Sequence, residues 1–483
     1  MKFKKLLLLP LLMASLSGCN NGNIVDIQIL SFNDFHGAVK QSEDGSQQGL
    51  LNFASTIIEK QNKVKNGTVL LSAGDMYQGS AESNTGKGKI MMDVMNKLGL
   101  EAMTIGNHEF DWGVDTIISQ HDGDTKNGEA NYDYLGCNIY QVQENKELSR
   151  VDWAKDYKIV ERGDIKIGII GWISTTCMND IATSIISPYE FTNPAKRIVD
   201  IAYKLRNEDN CDLIVAMGHD DSDFVNTELG TNTKAKIDLI INGHSHSSYV
   251  KENDGYNVVQ SESNGAYLGV TNIRYNREEK KVISMTTVNE EIQDVKNKDQ
   301  EIKTIIDDNL KDINKVVNEV IGKAGEKITK KIGGKWIANA IKGATGADVG
   351  IINAGGVREK AFPIAKGSDI KVSNIWEMMP FDNMIKTTKI TGKDVKGLIN
   401  NSDNFIFSHT TEEINALNDT QEYVVAACDY IFDKPEYCFQ NGKDVTETLL
   451  LVRDAMIEDV KAWTKENLEF MPSQGAKVGK ITQ

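Results

Sequence analysis

Basic charge is in short supply in this chain. It carries 54 Lys and Arg against 69 Asp and Glu, a formal net charge of −15. That balance argues against a nucleic-acid scaffold, whose affinity comes from basic surface. It leaves an anionic small substrate open, because bound cations invert the local field. Paired metal-binding cysteines are missing as well. None of the six cysteines stands in a CxxC pattern, which argues against a thiolate zinc site. Cys428 and Cys438 are compatible both with a disulfide and with two separate buried thiols. Beyond the N-terminus no segment is apolar enough to span a membrane, and there is neither an internal repeat nor a low-complexity tract. Histidine is scarce, with seven in 483 residues.

What is present starts with an export signal. Lys2, Lys4 and Lys5 precede the apolar run LLLLPLLMASL, a positive n-region and a short h-region. The run ends in Leu16-Ser17-Gly18-Cys19, which resembles the bacterial lipobox. The resemblance implies cleavage before Cys19 and a lipid on its sulfur, so that residues 1–19 are a lipoprotein signal peptide. Membrane attachment is then by lipid alone. An ordinary secretory signal would equally place the mature chain outside the cytoplasm.

A chain of 483 residues is too long for one ordinary core and suggests two domains. Apolar content of 40% and charged content of 25% fit a soluble globular protein. Strand patterns at Ile24–Phe32, Gly67–Ser72, Ala102–Ile105, Ile165–Gly171, Cys211–Met217 and Ile237–Asn242 alternate with helical spacing. The first ~270 residues therefore read as α/β. Residues 289–325 are charged and helically spaced and predict a long solvated helix joining two domains. A second α/β pattern starts at Gly334. It includes a strand at Val349–Asn353, an apolar run at Tyr423–Phe432 expected as a strand, and a final helix expected over Thr446–Trp463.

Five short motifs each close an apolar strand: Asp34-Phe35-His36, Gly74-Asp75, Gly106-Asn107-His108-Glu109, Gly218-His219 and Gly243-His244-Ser245-His246. They hold all the histidines except His121 and His409. Open α/β sheets place ligands at strand C-termini, and glycines beside the ligands let the loops pack closely. Imidazole and carboxylate donors suit a borderline or hard divalent ion. Two such ions supply a hydroxide, a phosphate clamp and leaving-group stabilisation, which is what phosphoester hydrolysis needs.

On these motifs the chain resembles the calcineurin-like metallophosphoesterases, and within them the bacterial 5′-nucleotidase family with its UDP-sugar hydrolases and 2′,3′-cyclic phosphodiesterases. The resemblance implies a four-layer α/β/β/α catalytic domain at residues 20–288. A linker helix at 289–325 and a C-terminal α/β substrate domain at 326–483 would follow. It implies two divalent metals (Zn, Mn or similar), one held by Asp34, His36, Asp75 and His246. Asp75, Asn107, His219 and His244 would hold the other, with Asp75 bridging and a metal-borne water or hydroxide as nucleophile. His108, steadied by Asp111, takes the catalytic position.

The resemblance continues in Asn353-Ala354-Gly355-Gly356-Val357-Arg358 and Pro380-Phe381-Asp382-Asn383, where Asn353 and Arg358 match substrate-facing positions. The family clamps a nucleotide base between two aromatic rings, for which Phe405 and Tyr430 are the matches. The chain departs from the pattern after Tyr430, where Asp433-Lys434-Pro435-Glu436-Tyr437 replaces a glycine-rich loop. Lys330 and Lys331 stand where many members carry an arginine. The expectation is an exported, monomeric, lipid-anchored phosphohydrolase acting on a small phosphate ester, foremost nucleoside 5′-phosphates. The alternatives are UDP-sugar or dinucleotide pyrophosphatase activity, cyclic phosphodiesterase activity, and a surface binding lipoprotein without catalysis.

Overall fold

β-Branched residues at alternating positions make Ile24–Phe32 a strand, and everything in the first domain is assembled around it. In the computed structural model, which describes residues 23–42, 47–126, 128–253, 256–399 and 404–481, this strand is central in a six-stranded sheet. The order is Lys281–Glu291, Tyr267–Asn276, Ile24–Phe32, Thr68–Ser72, Leu100–Thr104, Asp133–Leu135. A second sheet runs Ser248–Asn253, Tyr256–Ser261, Leu239–Asn242, Leu213–His219, Ile165–Ile173, Tyr157–Arg162. The signal segment expected at residues 1–19 lies outside the described residues.

The two sheets pack face to face. Ile27 and Ile29 of the first strand, with Val69 and Leu71, meet Ile167, Ile169, Val215, Met217 and Ile241 of the second sheet. Leu30 and Phe32 have the opposite parity and face helices instead, beside Phe53, Ile57, Met91 and Met95. Helices Gly49–Lys63, Lys89–Leu98 and Gln300–Val317 cover that outer face. Ala195–Asn207 and Asp223–Thr231 cover the other. The result is the four-layer α/β/β/α arrangement. Ile24–Phe32, Thr68–Ser72 and Leu100–Thr104 run parallel in the first sheet, and Ile165–Ile173, Leu213–His219 and Leu239–Asn242 in the second, so their C-terminal ends gather at one edge.

Residues 289–325 do not form one solvated helix. The strand Lys281–Glu291 runs into the stretch, the helix is confined to Gln300–Val317, and Val320–Lys323 is a strand paired with Asp369–Lys371. Asp299 caps the helix by accepting from the N–H groups of Glu301 and Ile302. Ile302 and Ile306, four positions apart, are buried in the helix-covered core of the first domain. The helix is thus docked on the catalytic layers.

The second domain has a five-stranded sheet ordered Phe405–Phe407, Val349–Asn353, Glu422–Cys428, Met384–Thr391, Lys443–Leu451. Helices Lys330–Thr345 and Val452–Lys465 pack on it. The expected helix over Thr446–Trp463 begins only at Val452. The residues before it extend the sheet, because Thr446 and Thr448 are β-branched and Lys386 pairs with Glu447 across the strands at 2.9 Å. The expected strand Tyr423–Phe432 ends at Cys428 and turns into the short helix Asp429–Phe432. Cys428 and Cys438 are separate thiols, and Cys428 Sγ lies 3.5 Å from Asn353 Oδ1.

Candidate active site

Each of the five motifs sits where a parallel strand ends. Asp34 and His36 follow Ile24–Phe32, Asp75 follows Thr68–Ser72, and Asn107 and His108 follow Leu100–Thr104. His219 ends Leu213–His219, and His244 and His246 follow Leu239–Asn242. Their side chains converge. His219 Nε2 is 3.1 Å from Asp75 Oδ2 and 3.1 Å from Asn107 Oδ1. His36 Nε2 and His246 Nε2 are 3.0 Å apart, and His246 Nε2 is 3.4 Å from Asp34 Oδ1. Five of these residues hold positive φ without being glycine: Asp34 (49°), His36 (50°), Asp75 (51°), His244 (80°) and His246 (55°). Such backbone costs roughly 1–3 kcal/mol per residue and collects at functional sites.

The donors fit divalent cations. Asp34 is fully buried; its Oδ2 accepts from Asn33 Nδ2 and from the His244 N–H, while its Oδ1 faces His246 Nε2 at 3.4 Å and His36 Nε2 at 3.9 Å. A buried carboxylate set among ring nitrogens in this way suits a shared cation. Two of the four histidines have their other ring nitrogen tied off, as metal ligation favours. His36 Nδ1 donates to Gln78 O at 3.0 Å and His219 Nδ1 to Ala73 O at 2.8 Å. Burial disfavours a charged His219, yet the Asp75 and Asp34 carboxylates outweigh it and push its pKa up to about 10. The site therefore draws positive charge to its centre even from its own side chains.

His108 stands apart from this cluster. Its Nδ1 is 2.8 Å from Asp111 Oδ2, and its N–H donates to Asp75 Oδ1 at 2.9 Å. Burial lowers its pKa, but Asp111 and Asp75 overcome that and raise it to about 9. Glu109, given no clear role by its sequence context, proves to be the clasp of the site. One carboxylate oxygen accepts from the N–H groups of Asp75 and Gly106, the other from that of Met76, all at 2.8–2.9 Å. It locks two ligand loops together from below.

The second domain closes over this cluster. Asp75, Asn107, His108, Asp111, His244 and His246 share one cavity of about 400 Å³ with Asn353, Arg358, Phe381, Asn383, Asp429 and Tyr430. Phe381 stacks on His108 with ring centroids 5.9 Å apart, and the Arg358 guanidinium lies 4.7 Å over the other ring, that of Phe381. The Pro380 carbonyl accepts from two buried amides of the first domain, Gln78 and Asn84, at 3.0 and 2.8 Å. Asp34, His36 and His219 lie behind the cavity wall.

Phe405 does not join them. It is buried among the second domain's core residues, edge-on to Tyr437 at 4.7 Å, because it starts a strand whose pairing with Val349–Asn353 turns it inward. The second aromatic face of the cavity is Phe381. Phe381 belongs to the PFDN motif, whose phenylalanine was assigned no ring-stacking role from the sequence. Tyr430 lines the cavity because the chain leaves the sheet at Cys428, and the Lys434 ammonium sits 4.4 Å from its ring.

Two family matches span most of this architecture: calcineurin-like phosphoesterase over residues 27–248 and the 5′-nucleotidase C-terminal domain over residues 320–412. Among individual proteins, the 5′-nucleotidase of Vibrio parahaemolyticus is 24% identical over 457 residues, covering 80% of this chain and 78% of that protein. The endonuclease YhcR of Bacillus subtilis is 24% identical over 406 residues, covering 78% of this chain, which spans only 33% of YhcR. The crystal structure of a 5′-nucleotidase precursor from Thermus thermophilus shares the fold with a TM-score of 0.71 at 17% identity, over 95% of this chain and all of that one. With both domain types present in the same order, the chain belongs to the 5′-nucleotidase family of the calcineurin-like metallophosphoesterases and is a phosphoric ester hydrolase.

Proposed function

We propose that this protein hydrolyses nucleoside 5′-phosphates to nucleoside and phosphate. The observation that carries the reading is the shared cavity. One wall offers Asp75, Asn107, His244, His246 and His108, and the other offers Arg358, two aromatic faces and the amide of Asn353. One cation would be held by Asp34, His36, Asp75 and His246, the other by Asp75, Asn107, His219 and His244. Bound divalent ions activate water and neutralise phosphate charge.

The chain's own side chains supply the rest. Asp111 engages Nδ1 of His108 and so leaves Nε2 to donate to a phosphoryl oxygen or the leaving O5′. Arg358 presents a planar fork to phosphate or ribose oxygens. Phe381 and Tyr430 offer π-faces for a base, an interaction that tolerates many bases. Asn353, Asn383 and Asp429 line the cavity where a sugar would lie.

The test is phosphate release from AMP, UDP-glucose, a 2′,3′-cyclic nucleotide and an aryl phosphate, each with and without a chelator. AMP is expected to be the best substrate and the chelator to abolish turnover. Faster cleavage of UDP-glucose or the cyclic nucleotide would overturn the substrate assignment. The lipobox at Cys19 further supports an exported protein held by lipid. Loss of membrane recovery in Cys19→Ala is the expected result, and unchanged recovery would refute it. Among the described residues no helix is long and apolar enough to cross a membrane.

A further inference from the structure

Residues 379–383 link helix Val372–Met378 to strand Met384–Thr391 and bring Phe381, Asp382 and Asn383 to the cavity wall. Carbonyls in such a link lie outside helix and sheet and need other donors. Arg453 supplies them. It is the second residue of helix Val452–Lys465 and only 4% exposed. Its Nη1 donates to the Phe381 carbonyl at 3.0 Å and lies 3.5 Å from that of Met379. Its Nη2 pairs with the Asp382 carboxylate, and its guanidinium carbon stands 3.4 Å from the centre of the Trp376 ring. One residue earlier, the Val452 N–H donates to the Asn383 carbonyl at 3.0 Å. The start of this helix thus straps the loop from behind, on both sides of Phe381.

The placement of Arg453 is otherwise unfavourable. A cation in the first turn of a helix opposes the helix dipole, and a buried charge costs free energy unless it is paired and hydrogen-bonded. The hydrogen bonds and the ion pair that offset both costs all go to the loop. Lysine could carry the charge, but not the planar fork that reaches two carbonyls and a carboxylate at once. Arg453 does not line the cavity, so any effect on the reaction passes through the loop.

We propose that Arg453 is a positioning residue of the active site. It fixes the backbone on either side of Phe381 and so holds that ring at the cavity wall, stacked on His108 and beneath Arg358. Arg453 itself touches neither substrate nor cation.

The experiment compares Arg453→Lys and Arg453→Met with the wild type, each as the full chain with its cations. KM and kcat are measured for AMP and for ribose 5-phosphate, which has the same leaving oxygen and no base. Both variants should raise KM for AMP roughly tenfold, the worth of one stacking face, and leave ribose 5-phosphate within about threefold. Bound metal should not change. Added to Phe381→Ala, Arg453→Met should alter KM for AMP little further, because the ring it positions is gone. Equal losses on the two substrates, the mark of general destabilisation, or a wild-type KM in Arg453→Lys would overturn the proposal. A second readout needs no substrate. With para-fluorophenylalanine in place of Phe381, the fluorine NMR line should be single in the otherwise wild-type chain and shift or broaden with Arg453→Lys; an unmoved line overturns the proposal. The kinetic arm rests on the nucleotide reading, and the two fail separately. A wild type that cleaves ribose 5-phosphate as well as AMP refutes that reading, and the fluorine line then decides for Arg453.

Discussion

The Pro380 carbonyl offers a way to measure what holds the two halves of the site together. It belongs to the second domain, yet both donors to it, Gln78 Nε2 and Asn84 Nδ2, belong to the first and are buried. Removing Gln78 alone leaves the carbonyl with one donor, so Gln78→Ala should cost only a typical net hydrogen bond, about 0.5–1.5 kcal/mol. Removing Asn84 alone is similar at Pro380, although Asn84 Oδ1 also accepts from the Gly79 N–H, so its thermal midpoint needs checking. Removing both orphans the carbonyl. The desolvation penalty of about 1–3 kcal/mol then adds to the lost bonds, for roughly 2–4 kcal/mol in all. Opening the interface returns the carbonyl to water, so the cost emerges as a shift toward the undocked arrangement. That shift raises KM for a substrate that touches both walls. The double variant should therefore lose roughly thirty- to thousandfold in kcat/KM for AMP, more than the product of the single losses. Bound metal should stay constant, because the backbone carbonyl of Gln78, not its side chain, accepts from His36. Additivity within about 0.5 kcal/mol, or loss of metal along with activity, would refute the reasoning.

Three further outcomes are expected. His108→Ala should retain both cations and lose about 10²–10⁴ in kcat, the usual worth of a positioned acid; elemental analysis beside turnover checks this, and metal loss would count against it. Phe381→Ala should raise KM for AMP by roughly tenfold, as one lost stacking face predicts, while Phe405→Leu should lower the melting temperature and leave KM alone. The reverse pattern would restore Phe405 to the site. Gly106→Ala would place a Cβ 2.2 Å from Asp75 Oδ1 and 2.8 Å from its backbone nitrogen, so it should weaken cation retention even though Gly106 touches no cation, and unaltered retention would show that the loops can give way.

How much of this was legible beforehand follows from what kind of signal each feature leaves. The donor set was readable because a scarce residue type recurs at the same structural position, the C-terminal end of a buried strand. The local rule repeats five times, and the parallel sheet does the rest of the assembly. Phe405 was misread because an aromatic on a strand has two possible faces, and pairing register chooses between them. That register is a property of the Val349–Asn353 neighbour, not of Phe405 itself. The helix expected from Thr446 failed for a related reason. Its first residues are satisfied by the neighbouring strand, through Lys386 with Glu447 and Thr448 with the Ile385 carbonyl, and tertiary pairing outweighs helical spacing.

The same geometry explains why the glycines flank the donors instead of replacing them. A left-handed backbone turns a side chain back toward the strand end it has just left, which is where the cations must be gathered. Glycine would adopt that conformation without cost but has no donor to present, so Asp34, His36, Asp75, His244 and His246 carry the strain themselves. Their neighbours Gly106 and Gly243 give up their side chains to make room. A Cβ on Gly243 would lie 2.8 Å from Ala73 O and 3.1 Å from His219 Nδ1, the very pair that orients His219. Strain of this kind persists only where the surroundings over-determine it; at Asp75 that support comes from Glu109, bonded to three N–H groups in two loops, and at Asp34 and His36 from backbone bonds of their N–H groups to Gly74 O and Asp75 O. The donor loops are consequently shaped before any cation arrives, and binding energy need not be spent on folding them.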